Sequence, residues 1–232
     1  MRIPFAIALA ALAAGCATVS GPPNPKDPWE GYNRSMYEVN DAVDRAVLKP
    51  VAQGYQKITP NVVQAGVTNF FGNLEDIGPG ANNLLQGKVA SGAGDFGRFV
   101  VNSTLGIFGL WDVATPMGLE KHNEDFGQTL GWWGAPPGPY LVLPLLGPSS
   151  LRDGPALLVD SAYSAGRAVS DVAVRNSLYG LDLVQTRAGL LKAGRVLEEA
   201  ALDKYTFTRE AWLQRRRSMV FDGRPPRDPD FE

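Results

Sequence analysis

FGQTLGWWGAPPGPYLVLPLLGPSSL, residues 126–151, carries no charged side chain over twenty-six positions. Its length and apolar character would suit a transmembrane helix, which needs about 20 residues. Prolines exclude that helix, because each removes a backbone donor and clashes with the preceding turn. They are Pro136, Pro137, Pro139, Pro144 and Pro148. The segment therefore predicts a short strand at Tyr140–Leu143 and turns or loop elsewhere.

A long uncharged segment without regular structure has two interpretations. Irregular backbone is tolerated at membrane depth only where protein buries it or water reaches it. The segment is therefore either a loop at a membrane face or cavity wall, or a buried Ω-like loop over a soluble core. A second uncharged stretch, residues 99–111, reaches only about 20 Å as a helix and is too short to cross a bilayer.

Outside these segments, apolar residues recur at the three- and four-residue steps of an amphipathic α-helix, and strand signals are scarce. The first predicted helix ends before Pro50, and its apolar face consists of Tyr32, Met36, Val39, Val43 and Val47. The second begins at Pro60 and stops at Gly78-Pro79, with a third capped by Ser91 and carrying Phe96, Phe99 and Val100. Further helices are predicted near 155–173, 181–202 and 206–220. The sequence predicts a mainly α protein.

The N-terminus has the pattern of an export signal over residues 1–15. Arg2 precedes an apolar run, and small residues precede Cys16, the only cysteine of the chain. LAAGC, residues 12–16, resembles the lipobox of bacterial lipoproteins. A lone cysteine in an exported protein pairs between chains, stays free or is modified. We interpret Cys16 as the lipidation site; the alternative is a chance cysteine or a small buried hydrophobe.

The remaining chain is long enough for one domain with a sizeable core. We predict a lipidated tether over 16–28, a helical domain over 29–221 and a disordered tail over 222–232. The formal net charge of −2 gives no electrostatic support for nucleic-acid binding.

Short motifs spread over residues 27–215 resemble, in order and spacing, the MlaA (VacJ) family of outer-membrane lipoproteins. The matching segments are DPWEGYNRSMY (27–37), KPVA (49–52), NFFGNLE (69–75), LLQG (84–87), RF (98–99), NSTLG (102–106), DVA (112–114), FGQTLG (126–131), GPY (138–140), LP (143–144) and LRD (151–153).

The resemblance implies a ring-like helical bundle in the inner leaflet of the outer membrane, facing the periplasm, with a loop or short hairpin at a central amphipathic channel. It implies non-enzymatic removal of phospholipids from the outer leaflet, with a trimeric porin and a periplasmic lipid carrier as partners. A gate loop is expected at about 134–150. Its candidate residues are Gly134, Gly138, Pro139, Tyr140, Leu141, Leu143, Pro144 and Gly147. The motif of the first helix is Asn33, Arg34 and Tyr37.

Other residues suggest chemistry less strongly, and we predict no catalytic residue, cofactor or metal. GAGDFG at 92–97 fits a dinucleotide-binding pattern with Asp112 downstream, but no buried strand precedes it, so close helix packing is the better explanation. His122, the only histidine, is interpreted as a solvated loop residue, and Asp41 and Asp44 as solvated charges or channel groups.

Two clusters and two functions stay open. Arg215-Arg216-Arg217 suits either a helix C-terminus or a contact with lipid phosphates or an acidic carrier. Trp132-Trp133 suits an interfacial anchor or the core. The alternatives to lipid transport are a structural lipoprotein that scaffolds a porin and a periplasmic lipid hydrolase. The hydrolase would need a nucleophile paired with a histidine, and the sequence has no such pairing signal.

Overall fold

The computed structural model describes residues 24–164 and 169–226. The predicted signal peptide, Cys16, the first part of the tether and the end of the tail lie outside these ranges. The described chain is mainly helical, as predicted. The helices are α1 Glu30–Val43, α2 Lys49–Ile58, α3 Asn61–Glu75, α4 Ile77–Leu85, α5 Val89–Thr104, α6 Phe126–Trp132, α7 Asp153–Tyr163, α8 Val172–Gly189, α9 Leu191–Ala200 and α10 Lys204–Val220. The strands are β1 Tyr140–Leu143 and β2 Gly147–Ser150.

The uncharged segment folds as a short helix followed by an antiparallel hairpin. The predicted strand at Tyr140–Leu143 is confirmed, and it pairs with β2 from Tyr140↔Ser150 to Leu143↔Gly147. The expectation of loop elsewhere is wrong for α6 and β2. Helix α6 begins after Asp125, whose side chain accepts the Gln128 amide at 2.8 Å, so its N-cap lies outside the segment.

The first predicted helix does not end before Pro50. A π-helical turn at Asp44–Leu48 joins α1 directly to α2, and Pro50 lies in the first turn of α2. The predicted apolar face is also not a core face. Met36 is buried, whereas Val39 and Val47 are 42% and 53% exposed.

Other helix limits also differ from the prediction. Gly78-Pro79 does not stop a helix but forms the first turn of α4, since α3 already ends at Glu75. Ser91 lies inside α5, whose N-cap is Lys88. The helix expected near 155–173 ends at Tyr163, and the one expected near 181–202 is α8 and α9 separated by Leu190. The helix expected at 206–220 is α10.

The apolar core of the described residues is small. One cluster joins Met36, Tyr140, Val142 and Tyr205, and a second joins Ala52, Ala188 and Leu191. Buried polar and charged side chains outnumber buried apolar ones in this part of the chain. The fold therefore depends on satisfied polar networks as well as on apolar burial. Within residues 24–164 and 169–226, no helix is both long and apolar enough to cross a bilayer.

The beginning of the predicted tail is described and contacts the body. Asp222 forms an ion pair with Lys88. Arg217 donates from Nη2 to the Pro226 carbonyl at 2.7 Å. Residues 222–226 therefore lie against the end of α10 and the start of α5.

Candidate functional site

Two asparagines of α1 hold the hairpin. The Asn33 side chain donates to the Tyr140 carbonyl at 3.0 Å and accepts the Val142 amide at 2.8 Å. Two helical turns later, Asn40 donates to the Leu143 carbonyl at 2.9 Å and accepts the Leu145 amide at 2.7 Å. Each amide side chain provides a donor and an acceptor, as a neighbouring strand would. Helix α1 therefore takes the place of a third strand along β1.

The described end of the predicted tether is attached at the same point. Asp27 is buried and accepts hydrogen bonds from Asn33 at 2.7 Å, from Arg209 at 2.8 Å and from the Tyr205 hydroxyl. The Lys26 carbonyl accepts the Tyr140 amide at 2.9 Å. The tether, α1, the hairpin and α10 thus meet around one carboxylate.

Aromatic rings surround this carboxylate. The Tyr205 ring lies edge-on to Tyr37 and Tyr140, with centroids 5.8 and 6.3 Å away, and Tyr140 packs against Trp212 at 5.7 Å. The Arg34 guanidinium lies 4.4 Å from the Tyr205 centroid. Burial and the adjacent Asp27 raise the pKa of Tyr205, so its hydroxyl stays a donor.

All three residues of the first-helix motif therefore lie at this junction. Asn33 bonds the hairpin and Tyr37 packs on α10. Arg34 donates to Asp203 at 2.8 Å and to Glu30 at 2.7 Å. The hydrogen bond from Arg34 holds the pKa of Asp203 well below its usual range.

The gate-loop candidates lie in and around the hairpin. Gly134 follows α6, Gly138 and Pro139 precede β1, and Tyr140, Leu141, Leu143, Pro144 and Gly147 belong to the strands or the turn. Gly138 has φ +67°, and a Cβ there would lie 3.1 Å from the Leu151 Cβ, so this position requires glycine. The turn exposes Leu145 and Leu146, each about 70% accessible to solvent.

A cavity of about 1000 Å3 lies elsewhere, among helices α3, α4, α7 and α8. Its walls are mostly apolar side chains, among them Phe70, Phe71, Leu74, Leu84, Phe96, Phe126, Leu157 and Leu178. The residues lining it in the described chain include none of the eight gate-loop candidates. The hairpin reaches it only indirectly: the Ser150 hydroxyl accepts the Asp153 amide at 3.1 Å at the start of α7.

Three carboxylates that form no ion pair among the described residues also line the cavity: Glu75, Asp160 and Asp182. Burial, and then the charge of Asp182, raises the pKa of Glu75. Burial also raises the pKa of Asp160, which accepts the Phe126 amide at 2.9 Å. The cavity is thus apolar with an acidic side. Sequence reasoning missed these residues, although each interrupts an apolar helical stretch.

A buried ion network fixes α6 and α7 to α10. Arg216 donates to Asp153 at 2.8 Å and to Asp125 at 2.6 Å. Burial by itself would raise the pKa of Asp125, but hydrogen bonds and attraction from Arg216 outweigh it and lower the pKa. Neither interpretation of the Arg215–Arg217 cluster describes Arg216, which joins three helices.

The loop before α6 is attached to the start of α4 by an ion pair and to α5 by a histidine–carboxylate contact. Lys121 pairs with buried Asp76, and the His122 Nδ1 lies 2.9 Å from an Asp95 oxygen. His122 lies in a loop, as expected, but it is only partly exposed and its ring contacts buried Asp95. Asp44 is not a free charge either, since Arg187 binds both its oxygens at 2.6 and 2.8 Å.

The glycine pattern at 92–97 serves helix packing, as expected. A Cβ at Gly92 would lie 2.8 Å from the Leu84 Cδ2 and 2.9 Å from the Gly80 carbonyl oxygen, so α4 and α5 touch closely. Asp112 binds Arg98 and Asn102. Among the described residues no cluster of potential metal ligands occurs.

These features define a helical scaffold whose first helix clamps a hairpin and whose later helices line an open amphipathic cavity. The chain belongs to the MlaA lipoprotein family, whose model matches residues 25–219. The Intermembrane phospholipid transport system lipoprotein MlaA of Escherichia coli is 34% identical over 230 residues, covering 95% of this chain and 90% of that protein. Its Haemophilus influenzae namesake is 31% identical, covering 85% of this chain and 80% of that protein.

A solved structure reported as the structural basis for maintenance of bacterial outer membrane lipid asymmetry has the same fold. Its TM-score is 0.73 at 33% identity, and the match covers 84% of this chain and 98% of that chain. The predicted family and the mainly helical fold class are therefore confirmed.

Proposed function

We propose that this chain moves phospholipids across the inner leaflet of the outer membrane, as a component of an intermembrane phospholipid transport system. The observation that carries the proposal is the cavity of about 1000 Å3, whose mostly apolar walls suit acyl chains. Family membership and the names of the relatives agree with it. Transfer of a lipid breaks no bond, so the proposal requires no nucleophile and no cofactor.

The hairpin is the proposed gate. It does not line the cavity itself, but β2 supports the start of α7, and Leu157 and Asp160 of α7 form part of the cavity wall. A change at the hairpin would thus move that wall. The exposed turn residues Leu145 and Leu146 supply an apolar tip that a lipid or a membrane protein would cover.

Membrane attachment is proposed to have two parts. One is lipidation of Cys16. The other is the uncharged segment 105–111, in which Phe108 and Trp111 are 77% and 59% exposed, together with the half-exposed Trp132 and Trp133. Large exposed apolar groups of this kind mark membrane or protein contacts. A trimeric porin and a periplasmic lipid carrier are the proposed partners.

Adjacent leucines of α7 allow a matched test. Leu157 lines the cavity, whereas Leu158 is 73% exposed and does not. In a strain lacking the native gene, complementation with Leu157→Asp should leave phospholipid in the outer leaflet, because the charge repels acyl chains from the cavity. Leu158→Asp should restore lipid asymmetry. The measurement is surface labelling of outer-leaflet phospholipid, with protein abundance checked by immunoblot.

The alternatives make different predictions for the same strains. A porin-scaffolding lipoprotein would keep lipid asymmetry with Leu157→Asp as long as the protein is present at normal abundance. A lipid hydrolase would produce lysophospholipid or free fatty acid from purified protein and phospholipid vesicles. Normal asymmetry in the deletion strain itself would contradict the transport proposal.

A further inference from the structure

A second, open pocket of about 750 Å3 adjoins the cavity, and each of its described lining side chains carries a polar group. It is lined by Ser161 and Ser164 at the end of α7 and by Arg175 and Tyr179 of α8. Ser164 and Tyr179 also line the large cavity, so the two spaces meet at these residues. The pocket therefore forms a polar rim at one side of an apolar chamber.

No other side chain of the described residues accepts a hydrogen bond from the donor groups of this rim. Within residues 24–164 and 169–226, the Arg175 guanidinium forms no ion pair, and the hydroxyls of Ser164 and Tyr179 have no hydrogen-bond partner. The basic residues nearer the cavity differ, because Lys121 is paired with Asp76 and Arg216 with Asp125 and Asp153. Arg175 is thus a cation available for an external anion.

The helical spacing places charges of opposite sign along one face of α8. Arg175, Tyr179 and Asp182 follow each other at four and three residues, so they lie on the same side, with Asp182 about 10 Å along the axis from Arg175. Asp182 lies in the cavity with Glu75 and Asp160. These carboxylates repel an anion from the chamber, whereas Arg175 attracts it to the rim.

We propose that Arg175, with the hydroxyls of Tyr179 and Ser164, binds the phosphodiester of a phospholipid whose acyl chains occupy the adjoining cavity. A planar guanidinium matches phosphate oxygens in a bidentate arrangement, and hydroxyls supply further donors. The apolar chamber beside the rim selects an amphiphile over a small anion. This inference rests on the proposed transport of phospholipids, and it assigns the headgroup end of the binding site.

The test is binding to the full chain purified in a nonionic detergent, measured by isothermal titration calorimetry. Three probes separate the sources of binding energy: dihexanoyl-phosphatidylethanolamine, dihexanoylglycerol without a phosphate, and inorganic phosphate. Each is titrated into the natural protein, Arg175→Gln and Arg195→Gln. Arg195 is the matched control because it is exposed on α9 and lines neither space.

Arg175→Gln should weaken binding of the phospholipid about tenfold, as expected for loss of one charge-assisted hydrogen-bonded contact. It should leave dihexanoylglycerol binding unchanged, and Arg195→Gln should bind all probes like the natural protein. Equal affinity of Arg175→Gln for the phospholipid would overturn the inference while the transport proposal stands. Inorganic phosphate binding as tightly as the phospholipid would also overturn it. Failure of every lipid to bind the natural protein would count against the transport proposal.

Discussion

The side-chain amide of Asn33 bonds both the carbonyl of Tyr140, at 3.0 Å, and the amide of Val142, at 2.8 Å, although more than a hundred residues separate them in the chain. This pair of contacts sets the register of the hairpin on α1. The same side-chain amide nitrogen also donates to buried Asp27.

Replacing Asn33 should therefore loosen the hairpin. Asn33→Ala leaves the Val142 amide and the Tyr140 carbonyl buried without their partner, which costs about 2–3 kcal/mol of unfolding free energy. Urea denaturation followed by tryptophan fluorescence measures the loss. Asn176→Ala, on the exposed side of α8, should change the unfolding free energy little. A small effect of Asn33→Ala would show that the clamp is dispensable.

Close packing of α4 on α5 makes a second prediction, in which two glycines of one helix behave differently. Gly92→Ala pushes a Cβ against Leu84 and the Gly80 backbone, so it should destabilise the fold by about 1–3 kcal/mol. Gly94 has nothing within 4 Å of the same position, and Gly94→Ala should stabilise the helix by about 0.5–1 kcal/mol. Thermal unfolding of both variants provides the comparison, and similar shifts of the two midpoints would contradict it.

The lowered pKa of Asp112 predicts how the stability of the fold depends on pH. Partial burial alone would raise its pKa, but hydrogen bonds from Thr115, Asn102 and Arg98 outweigh this and lower the pKa to about 2. An unfolded aspartate titrates near pH 4. The contribution of Asp112 is therefore complete above about pH 4 and is lost as the pH falls toward 2, because the unfolded chain takes up the proton first.

The urea midpoint should thus fall between pH 4 and pH 2 more steeply in the natural protein than in Asp112→Asn, which cannot titrate. Glu120→Gln is the control, as Glu120 is exposed. Parallel pH profiles for the natural protein and Asp112→Asn would rule out this role.

The sequence predicted those parts of the fold that depend on residues close together in the chain. Tyr140–Leu143 is a run of strand-forming residues between prolines, and its position is exact. Pro50 and Gly78-Pro79 misled the prediction because a proline can either end a helix or lie in the first turn of one. At Pro50 a π-helical turn joins α1 to α2, and at Gly78-Pro79 α4 begins.

The candidate site was predicted less well, since its residues come together only in three dimensions. The cavity takes Phe71 from α3, Leu157 from α7 and Leu178 from α8, and no spacing in the chain joins these positions. The family resemblance points to the Asn33 motif, whereas its contacts with the hairpin arise only in the folded chain. Asp27 belongs to the same matching motif, but its burial was not expected, because a carboxylate in a proline-rich tether suggests solvent exposure.

The hydrogen bond from the Tyr140 amide to the Lys26 carbonyl fixes the point at which the tether joins the body, and so limits the length of tether between Cys16 and the body. Ten residue steps separate Lys26 from Cys16, so a fully extended chain spans about 35 Å at most. With Cys16 lipidated as proposed, the base of the hairpin can never move farther than this from the bilayer surface. If the helical domain detached from the membrane, it would therefore rebind with the base of the hairpin facing the bilayer.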